Sequence, residues 1–224
     1  GDVYKRQHSH QSSRNSSSLS RPKMTPKEAL PILEAHSPPG ETWPNHCRQV
    51  AKVAKALALA SQEAGVNINP LRVEAHALLH DIGRSKTHGP MHGWSGYILL
   101  KKLGKPELGR GCITHWTKGR TAAEMARNAS FSASFIQKVY AALDPPDWNI
   151  EDSILSIADS SVMHTTIVSL KTRHTDLESR YGKSDWITRT KDLAFSQESS
   201  LSKVLGRPVE DIVKPLHGHS LDDA

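Results

Sequence analysis

The stretch HALLHDIGRSKTHGPMHG, residues 76–93, decides how this chain is read. It holds four of the 13 histidines. The segment NPLRVEAHALLHDIG reads as an Ala- and Leu-rich helix that runs into His80-Asp81, with Gly83 expected as its stop. His88 and His92 follow within twelve residues of His80. A histidine beside a carboxylate at the end of a buried helix is costly, because polar groups lose free energy when they leave water unpaired. A shared cation removes that cost.

Upstream, HCRQVAKVAKALALASQEAG reads as a long helix closed by Gly65, with Val50, Val53, Ala54, Leu57 and Ala58 on the 3.6 period. His46 opens it, on the same apolar stripe. Taken alone, His46 is an ordinary buried histidine with one backbone partner. His76 lies four residues before His80, a spacing that can chelate. Better donors lie beyond Asp81, so His76 is set aside as a decoy.

Before these, TPKEALPILEAH has Thr25 as N-cap and Pro26 at N1. Downstream, GWSGYILLKKLG and PELGRGCITHW read as a helical pair split at Gly104-Lys105-Pro106, and TAAEMARNA as a short helix. NIEDSILSIADSSVMHTTIVSL reads as one strong helix entered through Asp147 or Asn149. DWITRTKDLAFSQESSLSKVLG reads as a long amphipathic C-terminal helix. Nothing alternates with period 2 over a useful length, and there is no internal repeat. The expected fold class is all-α, a compact multi-helix bundle with a metal site in its helical core.

Asp159 is the most telling single residue. Ile150, Ile154, Leu155, Ala158 and Val162 bracket it on an apolar face. A carboxylate there needs a basic partner, a helix to cap, or a cation. His92, in GPMHGWSG, and His115, in CITHW, complete the set. Imidazoles and carboxylates from separate helices are how bundles build metal sites. That donor set suits manganese, iron, cobalt, nickel or zinc, and the absence of thiolates argues against a soft-metal site.

The chain has 224 residues, 37% of them hydrophobic, enough for one domain with a sizeable core. No apolar run is long enough to span a bilayer. Cys47 and Cys112 fit neither a disulfide framework nor a zinc thiolate site, so a cytoplasmic, reducing setting is expected. Of the net charge of +6, +4 falls in residues 1–28, so the folded part carries no strong nucleic-acid signal. Residues 1–23 are Ser-rich and read as a disordered or non-native tail, with Met24 as a natural start. Organelle targeting by that tail is the weaker alternative.

The order His46, His80-Asp81, Asp159 resembles the HD-domain superfamily of metal-dependent phosphohydrolases, and HDIG at 80–83 resembles its HDIG subgroup, among small uncharacterised members. The resemblance covers roughly residues 24–182, the expected HD domain, leaving 183–224 as a C-terminal helical extension and tail. It implies that His46, His80, Asp81 and Asp159 bind a first divalent ion. In two-metal members His92 and His115 stand where the further ligands fall, with Asp81 bridging. The resemblance departs at Ser153, where similar families carry a lysine after Glu151. The GYP segment of cyclic-di-GMP phosphodiesterases is absent.

The implied activity is a phosphatase or phosphodiesterase acting on a small phosphorylated molecule such as a nucleotide. One or two ions activate water, and Asp81, His80 and Arg84 carry the catalysis. The alternative is a metal-holding HD domain that senses a ligand with little turnover. Arg84 and Lys86 are the candidate phosphate contacts. Lys118 and Arg120 are weaker ones, and Trp116 is either a base platform or core. Arg173, Asp176 and Arg180 read as surface ion pairs rather than as the rim of a pocket. The face around Trp186, Leu193 and Phe195 is a candidate homodimer contact.

Overall fold

The computed structural model describes residues 25–127 and 130–221. The expected tail at 1–23 and the start at Met24 lie outside the described residues. The architecture is all-α: eleven α-helices and one two-stranded ribbon among the described residues.

Helix α2 (Trp43–Glu63) is the central element, packed against α3 (Pro70–Leu79) and α8 (Ile150–Ser160). Helix α1 (Pro26–Ala35) lies on α3, and Pro31 sits within it without ending it. Helices α4 (His92–Lys102) and α5 (Arg110–Thr117) pack on each other, and α5 also packs on α8. The short α6 (Ala122–Ala126) and α7 (Ala133–Tyr140) pair beside them. Helix α9 (Leu170–Tyr181) and the long α10 (Asp185–Leu205) lie against α8, and α11 (Glu210–Val213) returns to α2.

The core follows the stripes seen in the sequence. Val50, Val53, Ala54, Leu57 and Ala58 of α2 are fully buried, as are Leu79, Ile113, Ile154 and Ile157. Each large aliphatic side chain contributes about 1.5–3 kcal/mol by leaving water.

Three expectations are corrected. Helix α3 ends at Leu79, and Gly83 is not its stop: it lies within a 3-10 turn, Ile82–Ser85. The helix expected to run from Asn149 to Leu170 breaks after Ser160. Asn149, not Asp147, is its N-cap, accepting from the amides of Glu151 and Asp152. Beyond it, β1 (Val162–Met163) pairs antiparallel with β2 (Thr166–Ile167) in the register Val162↔Ile167 and Met163↔Thr166. The β-branched run Thr165 to Val168 favours this ribbon, and burial of Val162 and Ile167 fixes its inner face. Helix α7, capped by Ser132 and anchored by Ile136 and Val139, was not anticipated.

Candidate metal centre

Six side chains from element ends converge. His46 is in the first turn of α2, His80 caps α3, and Asp81 opens the following 3-10 turn. His92 is the first residue of α4, His115 is in the last turn of α5, and Asp159 is in the last turn of α8. His80, Asp81 and His115 are buried, while His46, His92 and Asp159 keep a small exposed edge.

Each of the four histidines is held by Nδ1 on a backbone carbonyl. His46 bonds His164 O at 2.7 Å, and His80 bonds Ala77 O at 2.7 Å. His92 bonds Gly89 O at 3.0 Å, and His115 bonds Gly111 O at 3.1 Å. A carbonyl only accepts, so Nδ1–H donates, and in the neutral ring that tautomer leaves the lone pair on Nε2. Pinning one ring nitrogen in this way orients metal-binding histidines.

The four Nε2 atoms face carboxylate oxygens and one another. Asp159 Oδ1 is 3.1 Å from His46 Nε2 and 3.7 Å from His80 Nε2. Asp81 Oδ1 is 3.3 Å from both His92 Nε2 and His115 Nε2, and Asp81 Oδ2 is 3.8 Å from His80 Nε2. Two donors sharing an ion at about 2.1 Å stand about 3.0–3.4 Å apart at octahedral to tetrahedral angles. His80 Nε2 and Asp81 Oδ1 are fully buried without a hydrogen-bond partner. Unpartnered acceptors aimed at one point fit a cation. His46, His80 and Asp159 form one group able to hold an ion, and His80, Asp81 and His115 form a second. His92 adjoins the second.

The packing that brings these ends together is glycine-dependent. A Cβ on Gly83 would stand 1.9 Å from His92 O, so the turn after Asp81 touches the α4 backbone directly. A Cβ on Gly93 would meet Trp116 Cβ at 2.5 Å, and one on Gly96 would meet Cys112 Sγ at 2.9 Å, which seats α4 on α5. Ion pairs fix α8. Buried Arg110 of α5 grips Asp152 through Nε at 2.9 Å and Nη2 at 2.6 Å. Arg72 of α3 holds Glu151, with Nε to Oε2 at 2.8 Å. Breaking a buried pair of the first kind costs about 3–5 kcal/mol. Ser153 accepts from Trp148 Nε1 at 2.8 Å.

Burial pushes His80 down to about 3 and His92 down to about 4, so both rings are neutral near pH 7. Burial alone would raise Asp81 and Asp159. His115, His80 and Arg84 hold Asp81 well below the usual carboxylate range. Lys118, His46 and His80 do the same for Asp159. Neutral imidazoles and ionised carboxylates are the ligand forms of both groups.

The centre opens into a cavity of about 540 Å³. Arg84 lines it, with Nε on Asp81 Oδ2 at 2.6 Å. Lys86 is exposed and is not among the lining residues. Lys118 lines the cavity and places Nζ 2.5 Å from Asp159 Oδ2. It sits at the left-handed C-cap of α5, φ 52, and Gln197 of α10 donates to its carbonyl at 3.0 Å. Arg120 also lines the cavity, but its Nη2 bonds Trp186 O and Thr190 Oγ1, and its guanidinium lies 3.8 Å from the Trp186 ring centre. Trp186 is thereby engaged within the chain. Trp116 lines the cavity and packs edge-on against Phe131. His76 is buried apart from the centre, with Nε2 on Glu107 O at 3.2 Å. Arg173 and Arg180 do pair with Asp176, yet both also line the cavity, which corrects their reading as surface alone. The carbonyl of His164 has no signal in the sequence, because the segment carrying it continues the apolar stripe of a helix, whereas the structure places it in the turn between β1 and β2.

The family model for the HD domain matches residues 45–163, from the residue before His46 to beyond Asp159. The chain belongs to the HD-domain family. Membership places it in a superfamily of metal-dependent phosphohydrolases, and HD domains bind divalent metals with such His and Asp clusters. An uncharacterised protein of Methanocaldococcus jannaschii is 30% identical over 160 residues, covering 70% of this HD protein and 86% of that one. A tRNA (cytidine(56)-2'-O)-methyltransferase of Picrophilus torridus is 30% identical over 145 residues, 64% of this chain but 38% of the methyltransferase. No solved structure matches the chain significantly. No helix among the described residues is long and apolar enough to cross a membrane.

Proposed function

We propose that this HD domain is a phosphatase or phosphodiesterase that uses one or two divalent ions, from the set manganese, iron, cobalt, nickel and zinc, on a small phosphorylated molecule such as a nucleotide. The observation that carries this reading is the pair of buried, unpartnered acceptors, His80 Nε2 and Asp81 Oδ1, inside a shell of histidines whose Nδ1 atoms are all engaged. His46, His80 and Asp159 would hold one ion; His92, His115 and Asp81 would hold the other, with Asp81 between them.

When bound, such ions acidify water and offset the charge of phosphate oxygens. The chain supplies the rest. Arg84 uses Nε on Asp81, which fixes that carboxylate and leaves its terminal amino groups for phosphate oxygens in the cavity. Lys118 keeps Asp159 ionised and brings a second cation to the cavity floor. Trp43, Trp116 and Phe131 supply apolar wall, which lowers the local dielectric and strengthens each of these contacts.

The test is a panel of phosphomonoesters, phosphodiesters and phosphoanhydrides offered to protein reconstituted with Mn²⁺, Fe²⁺, Co²⁺ or Ni²⁺. Metal-dependent phosphate release that disappears in Asp81→Ala is expected. Tight metal binding with no turnover on any class would replace the enzyme with a ligand sensor.

A further inference from the structure

Helix α9 begins at Leu170, beyond the residues matched to the family, yet it forms one wall of the metal cavity. Its polar face carries Arg173, Asp176 and Arg180. Arg173 Nη1 donates to Asp176 Oδ2 at 3.0 Å. Arg180 donates to the same oxygen through Nε at 3.0 Å and Nη2 at 2.6 Å. Three N–H groups thus meet one carboxylate oxygen, and the other donors of both guanidiniums are left over. The cluster has two positive charges and one negative. Burial raises the Asp176 carboxyl, but Arg180, Arg173 and His164 hold it below its ordinary value, so it stays ionised and keeps both arginines in place.

One residue ties this cluster to the metal centre. His164, at the left-handed turn between β1 and β2, accepts the Nδ1–H of His46 on its carbonyl. Its ring lies within electrostatic range of Asp176. His164, Arg173 and Arg180 all line the cavity that holds Asp81 and His92. Tyr181, 65% exposed, stands beside Arg180 with its ring centre 5.3 Å from the guanidinium carbon.

We propose that Arg173 and Arg180, splayed on Asp176, form a second anion subsite at the cavity mouth, so that the substrate carries a second phosphate or comparable dianion besides the group at the metal centre. This rests on the phosphohydrolase reading, because the first anionic group is the one placed at the metals. Arginine forks suit phosphate oxygens bidentately, and an arginine pair pre-organised by a carboxylate has less freedom to lose on binding. Two sites in one cavity act on a two-headed ligand as a single, tighter site.

The experiment uses two ligands that hydrolysis cannot consume. Methylphosphonate presents one anionic head, and propane-1,3-diphosphonate presents two. Each is titrated calorimetrically into Mn²⁺-loaded and metal-free protein. The diphosphonate is expected to bind the loaded wild type at least tenfold tighter than methylphosphonate, well above the twofold statistical advantage of two heads. Arg173→Gln/Asp176→Asn/Arg180→Gln removes the cluster without leaving a bare carboxylate, and is expected to abolish that advantage while methylphosphonate affinity stays within twofold. Arg180→Gln alone, at a more exposed side chain, is expected to lose at least threefold of it should the triple variant fold poorly. No advantage in the wild type, or an advantage that survives both variants, overturns the subsite. Methylphosphonate binding that ignores the metal overturns the phosphohydrolase reading instead, a result read from a different pair of titrations.

Discussion

His92 Nε2 and His115 Nε2 stand 3.1 Å apart, and in the neutral rings both are acceptors, because each ring donates its Nδ1–H to a backbone carbonyl. Two lone pairs at that distance repel. Protonating His92 would relieve them, but burial pushes that ring down to about 4. Asp81 Oδ1, 3.3 Å from both nitrogens, adds a third acceptor. A divalent ion held by these three would satisfy all of them at once, and Asp159 Oδ1 faces His46 and His80 in a comparable arrangement.

The first prediction concerns stoichiometry. Two ions per chain are expected from elemental analysis of reconstituted wild type. His92→Ala removes a donor only from the second group and is expected to retain one ion. Asp81→Ala is expected to lose the second ion and to weaken the first more than 100-fold, since Asp81 Oδ2 also faces His80. Two ions retained in Asp81→Ala would contradict the bridging role.

The second concerns pH in the metal-free protein. Burial lowers His80 to about 3 and His92 to about 4, whereas both protonate near 6.5 in an unfolded chain. Between about pH 6.5 and 4 the unfolded state therefore binds more protons than the folded one. Their contribution to stability is complete above about pH 7 and is lost as pH falls through that window. Urea midpoints measured from pH 8 to 4 are expected to hold level and then drop, with a shallower drop in His92→Gln. Equal slopes in both proteins would show that His92 is not held neutral.

The helices were legible in the sequence because they rest on periodicity, and His46 and Asp159 stood out because each interrupts an apolar stripe, where a buried polar group needs a partner; the grouping of all six side chains as candidate ligands came from the resemblance to the HD domain. What stayed hidden depends on contacts between segments distant in the chain. The 162–168 run has β-branched residues and a helical stripe at once, and only the ribbon's packing under α2 decides between them. Lys86 and Lys118 look alike in sequence. The backbone turn after Asp81 leaves Lys86 in solvent, while the left-handed cap of α5, held by Gln197, turns Lys118 inward. Arg173 and Arg180 have the i, i+7 spacing of an ordinary solvated face, and nothing local reveals that this face meets a cavity.

The third prediction follows from Gly83, whose hydrogen stands where a Cβ would lie 1.9 Å from His92 O and 2.5 Å from Gly96 N. Both neighbours are backbone and cannot rotate away, so Gly83→Ala must displace α4. Overpacking of this kind costs about 3 kcal/mol, or roughly 6–12 °C in melting temperature for a domain of this size. His92 moves with α4, so affinity for the second ion is expected to fall at least tenfold while the first ion is kept. Gly89→Ala, with only Thr87 Oγ1 at 3.4 Å, is the control and is expected to change neither reading.

The last prediction separates the two cations that follow the HDIG motif. Arg84 is half-buried, lines the cavity and donates to Asp81. Lys86 is exposed beyond the cavity wall. Removing a donor aimed at developing charge costs about 100-fold in turnover, so Arg84→Gln is expected to lower kcat/KM on the best phosphate substrate by about that factor. Lys86→Gln is expected to stay within twofold. Metal content read in parallel distinguishes loss of a phosphate contact, which leaves both ions bound, from loosening of Asp81, which releases the second. If Lys86→Gln proved the more damaging change, the assignment of Arg84 as the phosphate contact would be overturned.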